Sequence, residues 1–84
     1  LHAFPLNRRM FVHQFRALEE ANIPYIAVDY PGFGDAPLPI NEEPPFEFYT
    51  DYVVQRISEL GIKKVIPIGV SMGGYIMFDL FKRY

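Results

Sequence analysis

Phe11, Phe15 and Leu18 recur at intervals of four and three between Arg9 and Ala21, with Val12 widening the stripe and Gln14, Arg16, Glu19 and Glu20 on the other side. That spacing predicts an amphipathic helix. Asn7 is placed to cap its start, Asn22 to stop it, and Pro24 forbids continuation. Tyr49, Val53, Ile57 and Leu60 repeat the helical interval over Phe46–Leu60, and Gly61 closes that second helix. Two further apolar runs lack this period. Tyr25-Ile26-Ala27-Val28-Asp29 and Val65-Ile66-Pro67-Ile68 read as buried strands, nearly continuous in apolar residues, as parallel strands covered on both faces are. Pro67 removes one ladder donor and predicts a local irregularity. The chain opens on what reads as a strand end at Leu1, followed by a loop that Pro5 stiffens. Ala36 to Pro45 holds four prolines without periodicity and reads as a surface loop.

After the second strand comes a helix from Met72 into the run Tyr75–Tyr84. Tyr75, Ile76, Met77, Phe78, Leu80 and Phe81 make it apolar almost all round, so it is expected to be central and buried. Lys82 and Arg83 at its end complement the helix dipole. The element order is therefore strand end, helix, strand, helix, strand, helix. This β-α-β-α-β-α alternation predicts the α/β class, with parallel strands, right-handed crossovers and flanking helices.

Composition narrows the picture. The 84 residues allow one small domain at most, and 50% are hydrophobic and 17% aromatic, which suits elements buried on most sides in a larger body. A net charge of −2 without a basic run argues against nucleic acid as a partner. The absence of cysteine excludes disulfides, a thiol nucleophile and thiolate metal sites. No apolar stretch reaches the ~18 residues of a membrane span, so no membrane partner is expected and the expected location is cytoplasmic. The chain starts in mid-element at Leu1 rather than at methionine, so an N-terminus further upstream is expected. No metal constellation and no dinucleotide phosphate loop is present, and no cofactor is expected.

The candidate chemistry lies in Gly69-Val70-Ser71-Met72-Gly73-Gly74. Gly-x-Ser-x-Gly between a strand and a helix is the pattern of a nucleophile elbow, a turn so tight that the serine is strained and its hydroxyl raised above the sheet. Gly69 and Gly73 lack side chains where strand and helix nearly collide. The helix starting at Met72 directs its free N–H groups at negative charge forming on a substrate. The alternative is an ordinary strand-to-helix link whose glycines only permit close packing.

Three segments together resemble the α/β-hydrolase superfamily. Leu1-His2-Ala3-Phe4-Pro5 is similar to its His-Gly-x-Pro loop, Asp29-Tyr30-Pro31-Gly32-Phe33-Gly34 to its Asp-x-x-Gly-x-Gly turn, and Gly69–Gly74 to its elbow. Ala3 departs from the usual glycine, and Asp35 from the usual small hydroxyl residue. The resemblance implies that residues 1–84 are an incomplete α/β-hydrolase core, running from the oxyanion loop through the elbow helix. It implies Ser71 as nucleophile, the N–H groups of Phe4 and Met72 as oxyanion hole, and Phe4 and Met72 side chains walling the acyl pocket. It gives His2, Asp29, Gly32 and Gly34 structural roles near the site.

The family's acid and histidine follow its serine, yet after Ser71 this sequence has only Asp79 and no histidine. Asp79 sits two turns along the nucleophile's own helix and reads as a salt-bridged surface residue. His13 reads as solvated. The resemblance thus implies a serine hydrolase acting on a carboxylic ester, thioester, lactone or amide through an acyl-enzyme, with a small-molecule acyl substrate, the remainder of the domain as partner, and acid and base downstream. The piece alone is expected to be nearly inert. Serine at the apex argues against the dehalogenase branch, which places aspartate there. Acyltransferases, perhydrolases, peptidases and carbon–carbon bond hydrolases share the elbow, and a non-catalytic ligand-binding relative would share the scaffold.

Overall fold

A computed structural model describes residues 1–38 and 41–84. Within the expected loop Ala36–Pro45, residues 39 and 40 lie outside the described residues. Asn7 opens the first helical segment, its side chain accepting the Arg9 N–H at 2.9 Å. The first turn, Arg8–Phe11, is a 3-10 turn, and α1 runs Val12–Glu20. Asn22 ends it at φ 55°, while the Asn22 and Ile23 N–H groups donate to Glu19 and Leu18 carbonyls. Such a left-handed residue past the helix end satisfies carbonyls that the helix leaves free. The apolar stripe of α1 is only half-buried, and its firmest contact is Phe15 stacked on Tyr25 at 4.8 Å.

Two longer helices follow, α2 (Phe46–Glu59) and α3 (Met72–Arg83), and they pack against each other. Between them Val53 and Ile76 are buried together with Tyr30 from the turn after the first extended run. Met72, Leu80, Ile57, Tyr49, Phe33 and Leu1 fill in around these three. A polar clamp joins the ends of the helices. Arg83 pairs with Asp51 of α2 at 2.8 Å and with Asp79 of its own helix at 2.7 Å, while the Tyr84 hydroxyl donates to Asp51 at 2.7 Å. Arg83 therefore acts through two carboxylates, besides lying at the end of α3 where the dipole favours a cation.

Two expectations are not met among the described residues. The strands predicted for 25–29 and 65–68 are extended segments, and among the described residues no strand is formed. Sheet hydrogen bonds join neighbouring chain segments, and these two runs do not bond to each other. One bridge is present: the Leu1 amino nitrogen donates to the Ile68 carbonyl at 2.6 Å, and the Leu1 carbonyl accepts the Val70 N–H at 3.1 Å. A residue bonding to both neighbours of its opposite number is the parallel pattern. Without a partner strand the apolar side chains of the second run stand open, Ile66 being 91% exposed.

The other concerns α3, expected to be buried all round. Only Gly73 and Ile76 are buried, whereas Phe78 and Phe81 are 66% and 70% exposed. The helix buries the face that meets α2, and its remaining apolar positions have no element against them among the described residues. Among the same residues no helix is long and apolar enough to cross a membrane.

Candidate active site

The turn between the second extended run and α3 is held by three short-range hydrogen bonds. Gly73 N–H donates to the Val70 carbonyl at 2.9 Å, and the Gly74 and Tyr75 N–H groups donate to the Ser71 carbonyl at 2.9 and 3.3 Å. A Cβ on Gly69 would overlap the Gly73 carbonyl, and one on Gly73 would overlap the Leu1 carbonyl. Gly74 differs, since a Cβ there comes no nearer than 4.0 Å to the Gly69 carbonyl. Two of the three glycines are thus required by close approach of backbone to backbone, and the third is not.

Ser71 itself has φ 53° and ψ −114°. For a residue with a Cβ this backbone conformation costs of order 1–3 kcal/mol and survives only where the surroundings impose it. Here the imposing contacts are the two glycine approaches and the bonds to its carbonyl. Ser71 occupies the cap position of α3 yet makes no side-chain capping bond, and it is exposed. A serine at a helix start ordinarily spends its oxygen on a backbone N–H. This one faces solvent with its hydroxyl uncommitted.

Among the described residues neither the Met72 nor the Phe4 N–H has a hydrogen-bond acceptor. Met72 heads α3, where helix N–H groups lack intrahelical partners and the dipole favours negative charge. Phe4 and Met72 also line the same cavity, a hollow of about 240 Å³ closed further by Phe33, Glu43, Pro44, Phe46 and Tyr49. Ser71 is not itself in the lining, but its chain neighbour Met72 is. A larger hollow of about 480 Å³ lies between the run Ile26–Asp29 and Tyr52 and Arg56 of α2 with Leu60 just past its end, and none of Phe4, Ser71 or Met72 borders it. It is the space beside an unpaired extended segment.

His2 and Asp29 are close enough to interact electrostatically, and Gly34 lies against the Asp29 carboxylate, whereas Gly32 faces Leu38. His2 is 1% exposed, and its ring stacks on Tyr30 at 3.9 Å. Its Nε2 accepts the Tyr30 N–H at 3.4 Å, so Nδ1, 3.0 Å from the Ala3 carbonyl, carries the proton and donates. Burial lowers the His2 pKa, against the Ala3 carbonyl and Asp29, which favour the proton. The ring is therefore neutral with both nitrogens engaged. Tyr30 returns the contact by donating its hydroxyl to the His2 carbonyl at 2.9 Å, and burial pushes the phenol pKa up.

Asp29, 5% exposed, accepts the Arg8 N–H at 2.8 Å and the Asp35 N–H at 3.1 Å, with the Arg8 guanidinium 3.7 Å away. Gly34 has φ 53°, and a Cβ there would run into the Asp29 carboxylate; Gly32 has φ 89°. Burial works against the charge of Asp29, but the Arg8 and Asp35 N–H groups, the guanidinium and His2 outweigh it, so its pKa is lowered. A depressed carboxylate contributes stability that is complete above its unfolded pKa, about 3.9, and is lost as pH falls through the folded value. Asp29→Ala should cost about 1–3 kcal/mol near neutral pH because two partly buried N–H donors lose their charged acceptor. Urea midpoints should show that gap between wild type and variant closing below about pH 4. A gap independent of pH would assign the loss to packing instead.

Asp79 accepts from the Arg83 guanidinium through both carboxylate oxygens at 2.7–3.0 Å, and His13 is exposed on α1. Among the described residues no three side chains of the metal-ligating types converge. The sequence singled out Phe4 and Met72 but missed the aromatic walls Phe33, Phe46 and Tyr49 and the carboxylate of Glu43. Phe33 alone carried a signal, as an aromatic held between two turn glycines.

The family model described as alpha/beta hydrolase fold matches residues 1–84. The chain is 33% identical over all its 84 residues to the AB hydrolase superfamily protein YisY of Bacillus subtilis, of which it covers 31%. It is 32% identical over 76 residues to a candidate esterase/lipase of Mycoplasma pneumoniae, covering 90% of this chain and 28% of that protein. It is also 29% identical over 80 residues to bifunctional epoxide hydrolase 2 of Rattus norvegicus, covering 94% of this chain and 14% of that protein. The chain thus spans less than a third of the length of these relatives. No solved structure matches it significantly.

Proposed function

Because the chain belongs to the α/β-hydrolase fold family, we propose that the full-length protein is a serine hydrolase that cleaves a carboxylic ester, thioester, lactone or amide through Ser71. The observation that carries this reading is the backbone of Ser71, at φ 53° and ψ −114° with an exposed and uncapped hydroxyl. Strain of this kind gathers at functional residues. In the proposed reaction the Ser71 oxygen attacks the acyl carbon, its proton passes to a base, and the carbonyl oxygen becomes an anion. The N–H groups of Met72 and Phe4 receive that anion, which fits their lack of acceptors and their place around one hollow. Collapse expels the alcohol, thiol or amine, and water releases the acyl group by the same steps.

Base and acid come from chain beyond Tyr84 in this proposal. Asp79 is held by Arg83, and His2 has both ring nitrogens occupied. The segments at Leu1, 25–29 and 65–68 are then parallel strands of the full sheet, in the order β-α-β-α-β-α with the three helices. Chemistry also favours acyl substrates over epoxides, although one relative is named an epoxide hydrolase. Serine opening an epoxide would leave an ether, which water cannot readily cleave, whereas an acyl-serine ester hydrolyses. A fluorophosphonate probe should label the full-length protein and fail to label Ser71→Ala. Equal labelling of both would refute the assignment.

A further inference from the structure

The hollow beside Met72 carries information about the acyl group. Its walls are Phe4, Phe33, Phe46, Tyr49, Pro44 and Met72, and one charged side chain, Glu43, completes them. Phe33 meets Phe4 at 6.0 Å and Tyr49 at 6.1 Å, both edge to face, so three rings form a continuous wall. Among the described residues no basic residue borders the space and Glu43 takes part in no ion pair. Its charge is felt inside: the Tyr49 phenol pKa is raised, by burial first and by Glu43 second. At about 240 Å³ the hollow equals roughly eight water volumes of ~30 Å³, enough for a short or branched acyl chain.

An apolar hollow with one carboxylate treats charged ligands unequally. A cation gains from the carboxylate and from the negative faces of the rings, while an anionic acyl tail meets the Glu43 charge with no basic side chain among the described residues to offset it. We infer that this hollow selects acyl groups that end in a positive charge on a short apolar body, with Glu43 as the residue that sets the preference. The rate measurements below rest on Ser71 being the nucleophile; the binding measurement does not.

The test uses the full-length protein and p-nitrophenyl esters of three acyl groups of equal length. One ends in trimethylammonium, one in the uncharged tert-butyl isostere and one in carboxylate. The expected order of kcat/KM is cation over neutral over anion. In Glu43→Gln the cation-to-neutral ratio of kcat/KM should fall about fivefold, the size of one partly solvated charge contact. Glu42→Gln, a neighbouring exposed carboxylate off the lining, should leave the ratio alone. In parallel, binding of phenethylammonium and of phenylethanol is followed by ligand-observed NMR. A preference for the ammonium that Glu43→Gln removes supports the inference even if no ester is cleaved, in which case only the hydrolase reading fails. Equal binding of the two, or a ratio that Glu43→Gln does not move or that Glu42→Gln moves as much, overturns it.

Discussion

Ser71→Ala should lower kcat of the full-length protein on an activated ester about 10⁴–10⁶-fold while leaving its unfolding free energy in urea within about 1 kcal/mol of wild type or above it. The two halves of this expectation have separate causes. Activity falls because the acyl group loses the atom it bonds to, and no neighbour replaces it: the nearest carboxylate on the same helix, Asp79, is tied to Arg83. Stability holds because the Ser71 hydroxyl caps nothing and touches solvent. The backbone strain at φ 53° remains in alanine and is relieved only by glycine. Ser71→Gly should therefore be equally inactive and more stable than Ser71→Ala. A variant that keeps more than about a tenth of wild-type turnover would leave Ser71 without a covalent role.

The second large effect is on folding and separates the three glycines of this one turn. Gly69→Ala and Gly73→Ala each drive a methyl into a backbone carbonyl, that of Gly73 or of Leu1. Backbone cannot swing aside as a side-chain tip can, so helix and extended run must part. The cost should reach about 3 kcal/mol or more, the upper end for overpacking. Gly74→Ala meets nothing closer than 4.0 Å inside α3, and should be neutral or stabilise by up to about 1 kcal/mol through helix propensity. Thermal or urea unfolding of the three variants checks the order. If all three behaved alike, the close approach would not be what requires glycine there.

These cases show how far residue pattern reaches. The helices were legible because their apolar positions recur at three and four and their ends carry capping residues. Asn7, Asn22 and Gly61 sit at helix boundaries, and α2 begins at Phe46 as its periodicity predicts. The 3-10 first turn ahead of α1 left no mark in the pattern, since 3-10 and α turns share residue preferences at a helix start. Tyr30 and Phe33 were read as turn residues, yet Tyr30 is fully buried and Phe33 walls the hollow. Their burial depends on which distant segments the turn meets, here His2 and Tyr49.

By itself the sequence determined the helices and their ends, the glycine-serine turn and its position ahead of α3, and the family that those segments resemble. It could do so because periodicity, capping and steric demand for glycine are local, written within a few residues. Tertiary structure alone decided which face of α3 is buried and that Arg83 reaches across to Asp51. It also decided that His2 is neutral and spent, and that Glu43 borders the same hollow as Tyr49 and the aromatic wall. Extended runs 25–29 and 65–68 belong to the same side of that division. A strand exists only as half of a hydrogen-bonded pair, so the apolar residues of each run can predict it, but only a neighbouring segment can make it.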